Sequence, residues 1–344
     1  MNRRTVIKII LSEPETVRYE IPEYYCGNCR KEVRPKVPDA LPNAKLDLTA
    51  VILMSVLFTG ANTSVAEISN LFATIFGIRI SPASVSNYLK RLKNYLGGEY
   101  QKIEEEIEKS KVRHYDETGW RKNGKTNYMW AVATARAAHY RIEKSRCYSE
   151  AKKLPRSKKG VSICDGYRAY DEISGKLQRC WSHMLRTADN PEHYFSSEQE
   201  YQSYWKLVDK LKLLYHKAKE EKRDDGHSRE LRKKYEKKLD KLLKSVKHLG
   251  KNADKLMNYI IHYWDDWFTF LEYRKVDPTN NHAERMLRHA VLKRRISQQH
   301  RSTAAARSYA MQLSIYMSSR LKRQNYMEKL RNVVEEKING VEKI

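Results

Sequence analysis

Three carboxylates suggest chemistry by their surroundings. Asp116 lies in Tyr115-Asp116-Glu117-Thr118-Gly119-Trp120 and Asp165 in Ile163-Cys164-Asp165-Gly166-Tyr167. Glu284 lies in Asn280-Asn281-His282-Ala283-Glu284-Arg285-Met286-Leu287-Arg288. Each aspartate closes a short apolar run of strand type, whereas Glu284 sits early in a run of helical period. Carboxylates are the hard oxygen ligands that magnesium takes, and few are needed because phosphate and water complete its octahedron. Two strand ends and a helix delivering three of them suit a pair of divalent ions acting at phosphorus. One ion would activate water or a 3′-hydroxyl and the other would stabilise the leaving oxygen. Each acid alone reads equally well as an ordinary strand-end or turn carboxylate; the combination is what points to chemistry. Glu117 competes with Asp116, but adjacent strand residues face opposite ways, so only one of the two is expected to face the metals.

Other groups could assist. Cys180 and His183 form a C-x-x-H pair after an apolar run, with a supporting or structural role beside the acids as the first expectation. Arg285 and Arg288 could hold phosphates, and Lys293, Arg294 and Arg295 form a run suited to a nucleic-acid backbone; for these five a solvated helix face is the plain alternative. Cys26-Gly27-Asn28-Cys29 offers two thiolates to zinc, and a closed site needs four ligands. No second C-x-x-C or suitably spaced histidine pair lies near it, so the motif is half a site, completed only if two copies of the chain each donate a pair.

Lysine plus arginine total 67 against 42 acids in 344 residues, a net charge of +25. The excess is spread along the chain and not confined to a tail, so basic faces on folded domains and a polyanionic partner are expected. A hydrophobic fraction of 40% is enough for real cores. The longest apolar candidate, Leu48 to Phe58, is too short to span a bilayer. Thr5 to Leu11 follows a basic start without a cleavable small-residue site. Five cysteines form no disulfide framework, which fits a reducing compartment. No membrane partner and a cytoplasmic, nucleoid-associated protein are therefore expected.

The elements that must carry these groups are legible in outline. Prolines at 14, 22, 35, 38 and 42 punctuate a loop-rich module over residues 1–46. Three helices follow within 47–96: an apolar one, one opened by the capping box Ser64-Val65-Ala66-Glu67 and closed by Gly77, and one opened by Ser81-Pro82. Ile68, Leu71, Phe72 and Ile75 mark the inner side of the second, and Val85, Tyr88, Leu89 and Leu92 that of the third. Ser84, Ser86, Asn87, Lys90, Arg91 and Lys93 are left outside, which suits a helix-turn-helix reading the major groove of double-stranded DNA; a plain trihelical bundle is the alternative. Residues 99–111 read as a charged helical connector. Strands are expected over 112–118, 127–134 and 139–145, with Asn123-Gly124 as hairpin turn chemistry between the first two. A short helix is expected over 149–154, and further strands over 160–164 and 177–181. The segment 195–262 reads as a helical hairpin with a break at Asp224-Asp225-Gly226-His227. A helix begins at Asn280, and two more run over 304–320 and 326–338.

In these motifs the chain resembles the DDE transposases of bacterial and archaeal insertion sequences, specifically the insertion sequence sixty-six family. The likeness runs from about Tyr24 to Ile338. It rests on the C-x-x-C with a basic, proline-bearing segment, the Asp-Glu-Thr, Asp-Gly-Tyr and Cys-Trp-x-His blocks, and the Asn-Asn-x-Ala-Glu-Arg block, in that order. The resemblance implies a ribonuclease-H-like mixed sheet in an α+β multidomain chain, with Asp116, Asp165 and Glu284 binding two magnesium ions for which manganese can substitute. It picks Asp116 over Glu117, and many such transposases share the C-x-x-H pair. It also implies a helical insertion between the second and third acids, transposon ends and target DNA as partners, and a homo-oligomer assembled on DNA. Family members usually carry an earlier C-x-x-C that completes the zinc site, and none precedes Cys26 here. The expected organisation is a partial zinc-knuckle-like module (1–46) and a helix-turn-helix domain with connector helix (47–110). The core follows in two parts (111–194 and 266–325) around the insertion (195–265), with a terminal helix (326–344). Two alternatives stay open: a non-catalytic DNA-binding relative, and a structure-specific nuclease with the same metal site.

Overall fold

The computed structural model describes residues 13–339 apart from 34–36, 38, 174 and 247–249. The readings on Thr5 to Leu11, Pro35, Pro38 and residues 340–344 lie outside the described residues. In chain order the elements are β1 (Tyr24–Cys26), β2 (Lys31–Val33), α1 (Leu48–Ser55), α2 (Val65–Phe76), α3 (Pro82–Lys109), β3 (Val112–Lys122), β4 (Lys125–Ala133) and β5 (Ala138–Glu143). There follow α4 (Tyr148–Ala151), β6 (Val161–Cys164), β7 (Lys176–Arg179), α5 (Trp181–Ala188), α6 (Glu198–Asp225) and α7 (Arg229–Lys244). The chain continues with α8 (Lys251–His262), α9 (Thr269–Glu272), α10 (Asn281–Ser297), α11 (Thr303–Leu321) and α12 (Tyr326–Asn339). The fold is mixed α and β. Among the described residues no helix is long and apolar enough to cross a membrane.

The chain divides into two compact units. One comprises Met1–Gln101, Arg121–Gly124 and Leu292–Ile344, the other Lys102–Trp120 and Lys125–Val291. In the first, the caps are those the sequence calls for. Ser64 accepts the Glu67 N–H, Gly77 ends α2 in the left-handed conformation at φ 68°, and Ser81 accepts the Ser84 N–H at the start of α3. Val85, Tyr88, Leu89 and Leu92 are buried as expected, but Ile75 is exposed, because α2 buries only the narrow stripe of Ile68 and Phe72. α11 supplies the centre of this unit, and several buried polar side chains there are paired. Ser55 bonds Gln312 and Tyr326 at 2.7 and 2.8 Å, and Ser308 donates to the Leu89 carbonyl at 2.6 Å. The expected connector is not a separate element: α3 runs unbroken for 28 residues through Gly97-Gly98. Two helical glycines cost about 1 kcal/mol each relative to alanine, and the buried stripe of Leu92, Leu96, Ile103 and Ile107 offsets this.

The second unit holds a five-stranded sheet of order β5-β4-β3-β6-β7. β4 and β5 pair antiparallel, whereas β3, β6 and β7 pair parallel. Asn123 and Gly124, at φ 49° and 71°, make the tight turn between β3 and β4 that their residue types favour. β6 is buried along its whole length, as a central parallel strand should be. The segment expected to be a helical hairpin is three helices, α6, α7 and α8, broken between the first two at Gly226 (φ 86°). Their apolar faces share one core with Val161, Ile163, Trp181, Trp267 and Phe268.

Each unit buries a histidine. Burial holds His114 down to about 3, helped by His282, and holds His300 down to about 4, helped by Lys293. Both folded values lie below the unfolded one, so the unfolded chain takes up protons first as pH falls. The stability from keeping them neutral is complete above pH 6.5 and is lost toward pH 4 and 3. By about pH 5 each histidine should lower stability by about 2 kcal/mol. Denaturant titrations near pH 7.5 and pH 5 should show this loss, and His300→Gln should recover about 2 kcal/mol of it; an equal loss in the variant refutes the assignment.

Candidate active site

Register places the sequence motifs side by side. His114 pairs with Ile163 across β3 and β6, and Cys164 pairs with Arg179 across β6 and β7. Continuing the register by two residues and one residue respectively puts Asp116, in the middle of the long β3, in one row with Asp165 and Cys180, which directly follow the C-terminal ends of β6 and β7, the edge where open α/β sheets present their sites. The Asp165 turn is pinned from below. The buried Arg179 donates to the Asp165 carbonyl at 2.8 Å, bonds the carboxylates of Asp171 and Asp266 at 2.5 and 3.2 Å, and stacks on Tyr263 at 4.1 Å. Tyr263 in turn donates to the Gly166 carbonyl at 3.0 Å. A Cβ at Gly166 would stand 1.9 Å from the Tyr259 hydroxyl, so this position requires glycine. Asp165 itself accepts only a local bond from the Tyr167 N–H at 2.9 Å, which leaves its second oxygen for another partner.

Glu284 reaches this row through Asn280. The fully buried Asn280 donates its side-chain amide to the Tyr115 carbonyl at 2.6 Å, one residue before Asp116, and its N–H to Cys180 Sγ at 3.2 Å. Trp181 N–H donates to the Pro278 carbonyl at 3.0 Å, so the start of α10 is stitched to the start of α5. Ala283, Leu287 and Ala290 bury the inner side of α10, and Tyr140 donates to the Met286 carbonyl at 3.0 Å. Glu284 sits in the first turn, where a negative charge is favoured by the helix dipole. His183 Nδ1 lies 3.7 Å from Glu284 Oε1.

The acids repel one another. Asp116 is pushed up to about 8, first by burial and then by Glu117, Asp165 and Glu284, against one opposing hydrogen bond from the Glu117 N–H. A carboxylate so raised by like-charge neighbours is in the state that a bound cation relieves. Glu117 is engaged elsewhere: Arg146 pairs with it, Tyr170 donates to it, and its side chain is 2% exposed. Arg146 stacks over Tyr167 at 4.0 Å, which fixes that arm. Glu117 is thus held by its own cation, while Asp165 and Glu284 stand near enough to Asp116 to raise it further.

The remaining expected site residues fall in different places. Arg285 and Arg288 are exposed on α10. Lys293 is withdrawn from the surface set: it is fully buried, donates to the Phe58 and Thr63 carbonyls at 2.9 and 2.8 Å, and lies 3.4 Å over the Phe58 ring. It lies on the buried side of α10, in step with Leu287 and Ala290, so it is not available to a DNA backbone. Arg294 and Arg295, with Arg121, Gly124, Gln298 and Gln299, line an open cleft of about 600 Å³. Ser84 and Asn87 are exposed on α3, and Lys90 and Lys93 are half-buried. Arg91 donates to the Pro42 carbonyl and sits 5.7 Å over Tyr88, so it braces its own unit. Cys26 ends β1, and its thiol is held low by N–H and side-chain bonds from Cys29 and the Asn28 N–H. Among the described residues no third histidine, cysteine or acid joins that pair. Sequence reasoning missed Asn280 as a positioning group, although it sits within the Asn-Asn-x-Ala-Glu-Arg block. It also missed Arg179, Arg146 and Tyr259, for which no local signal exists.

The fold presents an acid cluster on a mixed sheet in a strongly basic chain. The transposase IS66 family matches residues 49–308, and the chain belongs to that family. Its activity is accordingly a transposition-related one on DNA. No individual curated protein matches the sequence.

The Asn280 bonds carry a direct expectation. Asn280→Ala leaves the buried Tyr115 carbonyl unpaired and should cost about 1–3 kcal/mol of stability, read as a lowered denaturant midpoint. An unchanged midpoint would mean that water or a neighbour replaces the amide and that Asn280 is not what seats α10.

Proposed function

We propose that this protein is a DDE transposase that binds the terminal inverted repeats of an insertion sequence and catalyses strand cleavage and strand transfer. The observation that carries the reading is the strand register that sets Asp116 beside Asp165, with Glu284 on the first turn of α10, acids 49 and 119 positions apart in sequence; Asp116 is raised first by burial and then by Glu117, Asp165 and Glu284. Asp116, Asp165 and Glu284 would hold the ions, magnesium or manganese. Bound there, two such ions supply activation of the attacking oxygen and stabilisation of the leaving one. The protein's own part is to fix the three carboxylates through Arg179, Asn280 and the Glu117–Arg146 pair. The strand order and the parallel β3, β6 and β7 support a ribonuclease-H-like core, and the long helical segment between Asp165 and Glu284 supports an insertion in it. The capped pair α2 and α3 supports a helix-turn-helix that reads transposon ends, and the net charge of +25 supports DNA backbone contact and assembly as a homo-oligomer on DNA, in the nucleoid. Arg285, Arg288, Arg294 and Arg295 are its phosphate-contacting residues in this reading.

Asp116→Asn, Asp165→Asn and Glu284→Gln each remove a negative ligand at nearly constant shape. Each should abolish magnesium-dependent cleavage of DNA carrying the element's ends, with end binding within about threefold of the parent protein. Near-normal cleavage by any one variant removes that residue from the set. Absence of strand transfer beside intact cleavage would favour the nuclease reading.

The α3 surface gives a second expectation. Asn87→Ala should relax sequence preference, because asparagine pairs bidentately with adenine, and Lys93→Ala should weaken binding to all sequences and shallow its salt dependence. Competition binding separates the two effects; unchanged discrimination in every variant, Ser84→Ala and Lys90→Ala included, would leave α3 a structural helix.

A further inference from the structure

The row of strand ends does not finish at Asp165. Cys180 caps the start of α5 and His183 follows three residues later, so sulfur and imidazole rise from the same side of one helical turn. Glu284 faces them from α10. Ligand atoms of Cys180, His183 and Glu284 all lie within 4.8 Å of one another, the one such group among the described residues. Two of those atoms, His183 Nδ1 and Glu284 Oε1, are buried and have no hydrogen-bond partner. They stand 3.7 Å apart, beyond hydrogen-bond reach. Buried polar atoms are nearly always paired, and two orphans aimed at one point beside a thiol call for a shared partner.

We infer that Cys180, His183 and Glu284 form a site for a thiophilic divalent cation of the zinc class, separate in chemistry from the magnesium set and sharing Glu284 with it. The spacing fits. Ligands held at about 2.0–2.3 Å around a tetrahedral zinc are about 3.3–3.8 Å from one another; the group needs to close by about 1 Å, which side-chain rotation supplies. The donor set of one sulfur, one imidazole and one carboxylate selects zinc over magnesium. Burial raises the Cys180 thiol against the Asn280 N–H that its Sγ accepts, so a bound cation would have to displace the proton. Three protein ligands leave a fourth position for water. Zinc bound through Glu284 draws charge from the carboxylate that the magnesium set shares, so zinc here weakens magnesium at the acids; this consequence rests on the proposed function, whereas the binding site itself does not.

The test uses the full chain with Cys26→Ser, Cys29→Ser and Cys147→Ser, which removes the exposed thiols, and cobalt(II) as the probe for zinc. One equivalent of cobalt should produce a thiolate-to-metal charge-transfer band that one equivalent of zinc bleaches. Adding Cys180→Ser should abolish the band, and adding His183→Ala should weaken cobalt binding at least tenfold; circular dichroism verifies that each variant is folded, and His183, partly exposed, tolerates truncation. No band in the parent would mean that His183 and Glu284 meet only as an ion pair, and overturns the site. A band that survives Cys180→Ser would come from Cys164 and also overturns it. In a parallel arm, zinc should inhibit magnesium-dependent cleavage in the parent and lose at least tenfold in potency with Cys180→Ser. A proper band with no cleavage under any condition leaves the metal site standing and refutes the transposase reading. Cleavage without the band does the reverse.

Discussion

Asp116 is the point on which the structure turns, because the fold holds its carboxylate against Glu117, Asp165 and Glu284 with little water between them. Displacement from 3.8 to about 8 corresponds to roughly 6 kcal/mol of disfavoured charge at about 1.4 kcal/mol per unit. A whole domain is stable by only about 5–15 kcal/mol. Such a cluster persists only if the surrounding structure prevents it from relaxing. The unusual features of the second unit make sense as parts of that restraint.

The restraint is built so that it does not neutralise the acids. Arg179 lies beneath Asp165, yet its guanidinium bonds the Asp165 carbonyl and balances its charge on Asp171 and Asp266, not on the Asp165 carboxylate. Arg146 neutralises Glu117, the neighbour that would otherwise compete with Asp116. Asn280 seats α10 with two neutral hydrogen bonds, one to the strand of Asp116 and one to Cys180. Had a lysine or arginine stood at 280, its charge would have lowered the raised carboxylate and weakened the demand for metal. Neutral pins on the acids and cations on everything else are a consistent division of labour.

What the sequence made legible, and what it hid, follows the range of the interactions. Caps and turns are local, so Ser64, Gly77, Ser81 and Asn123-Gly124 read correctly from neighbouring residues. Asp116 and Asp165 stand out in the sequence because they close apolar strand runs, and Glu284 because it opens a periodic helix; the strand register that sets the two aspartates side by side is not legible there. Lys293 was misread from its company in Lys293-Arg294-Arg295; the better signal was its period, since it continues the inner stripe of Leu287 and Ala290. Burial there pushes its ammonium down to about 7, while two carbonyls and the Phe58 ring hold it in place. The charged connector expected over 99–111 is helical, but it is the continuation of α3, carried by the buried stripe along that helix. Asn280 with Tyr115, Arg179 with Asp266 and Gly166 with Tyr259 are separated by 165, 87 and 93 positions, and no local pattern encodes such pairs.

The helices between Asp165 and Glu284 belong to this same argument. A segment merely hung from the sheet would present a polar surface all round, yet α6, α7 and α8 bury Tyr204, Leu211, Tyr235, Leu239, Leu256 and Ile260 in one core with the sheet residues Val161 and Ile163. From α8, Tyr259 closes on Gly166 while Tyr263, just past its end, bonds the Gly166 carbonyl and stacks under Arg179. The turn that aims Asp165 is thus held by a helix that enters the chain nearly a hundred residues later. Shortening the segment to a plain loop would free that turn, let Asp165 swing away from Asp116, and relax the crowding of the acids. The segment is therefore part of the site's scaffold, whatever surface its outer faces present to DNA.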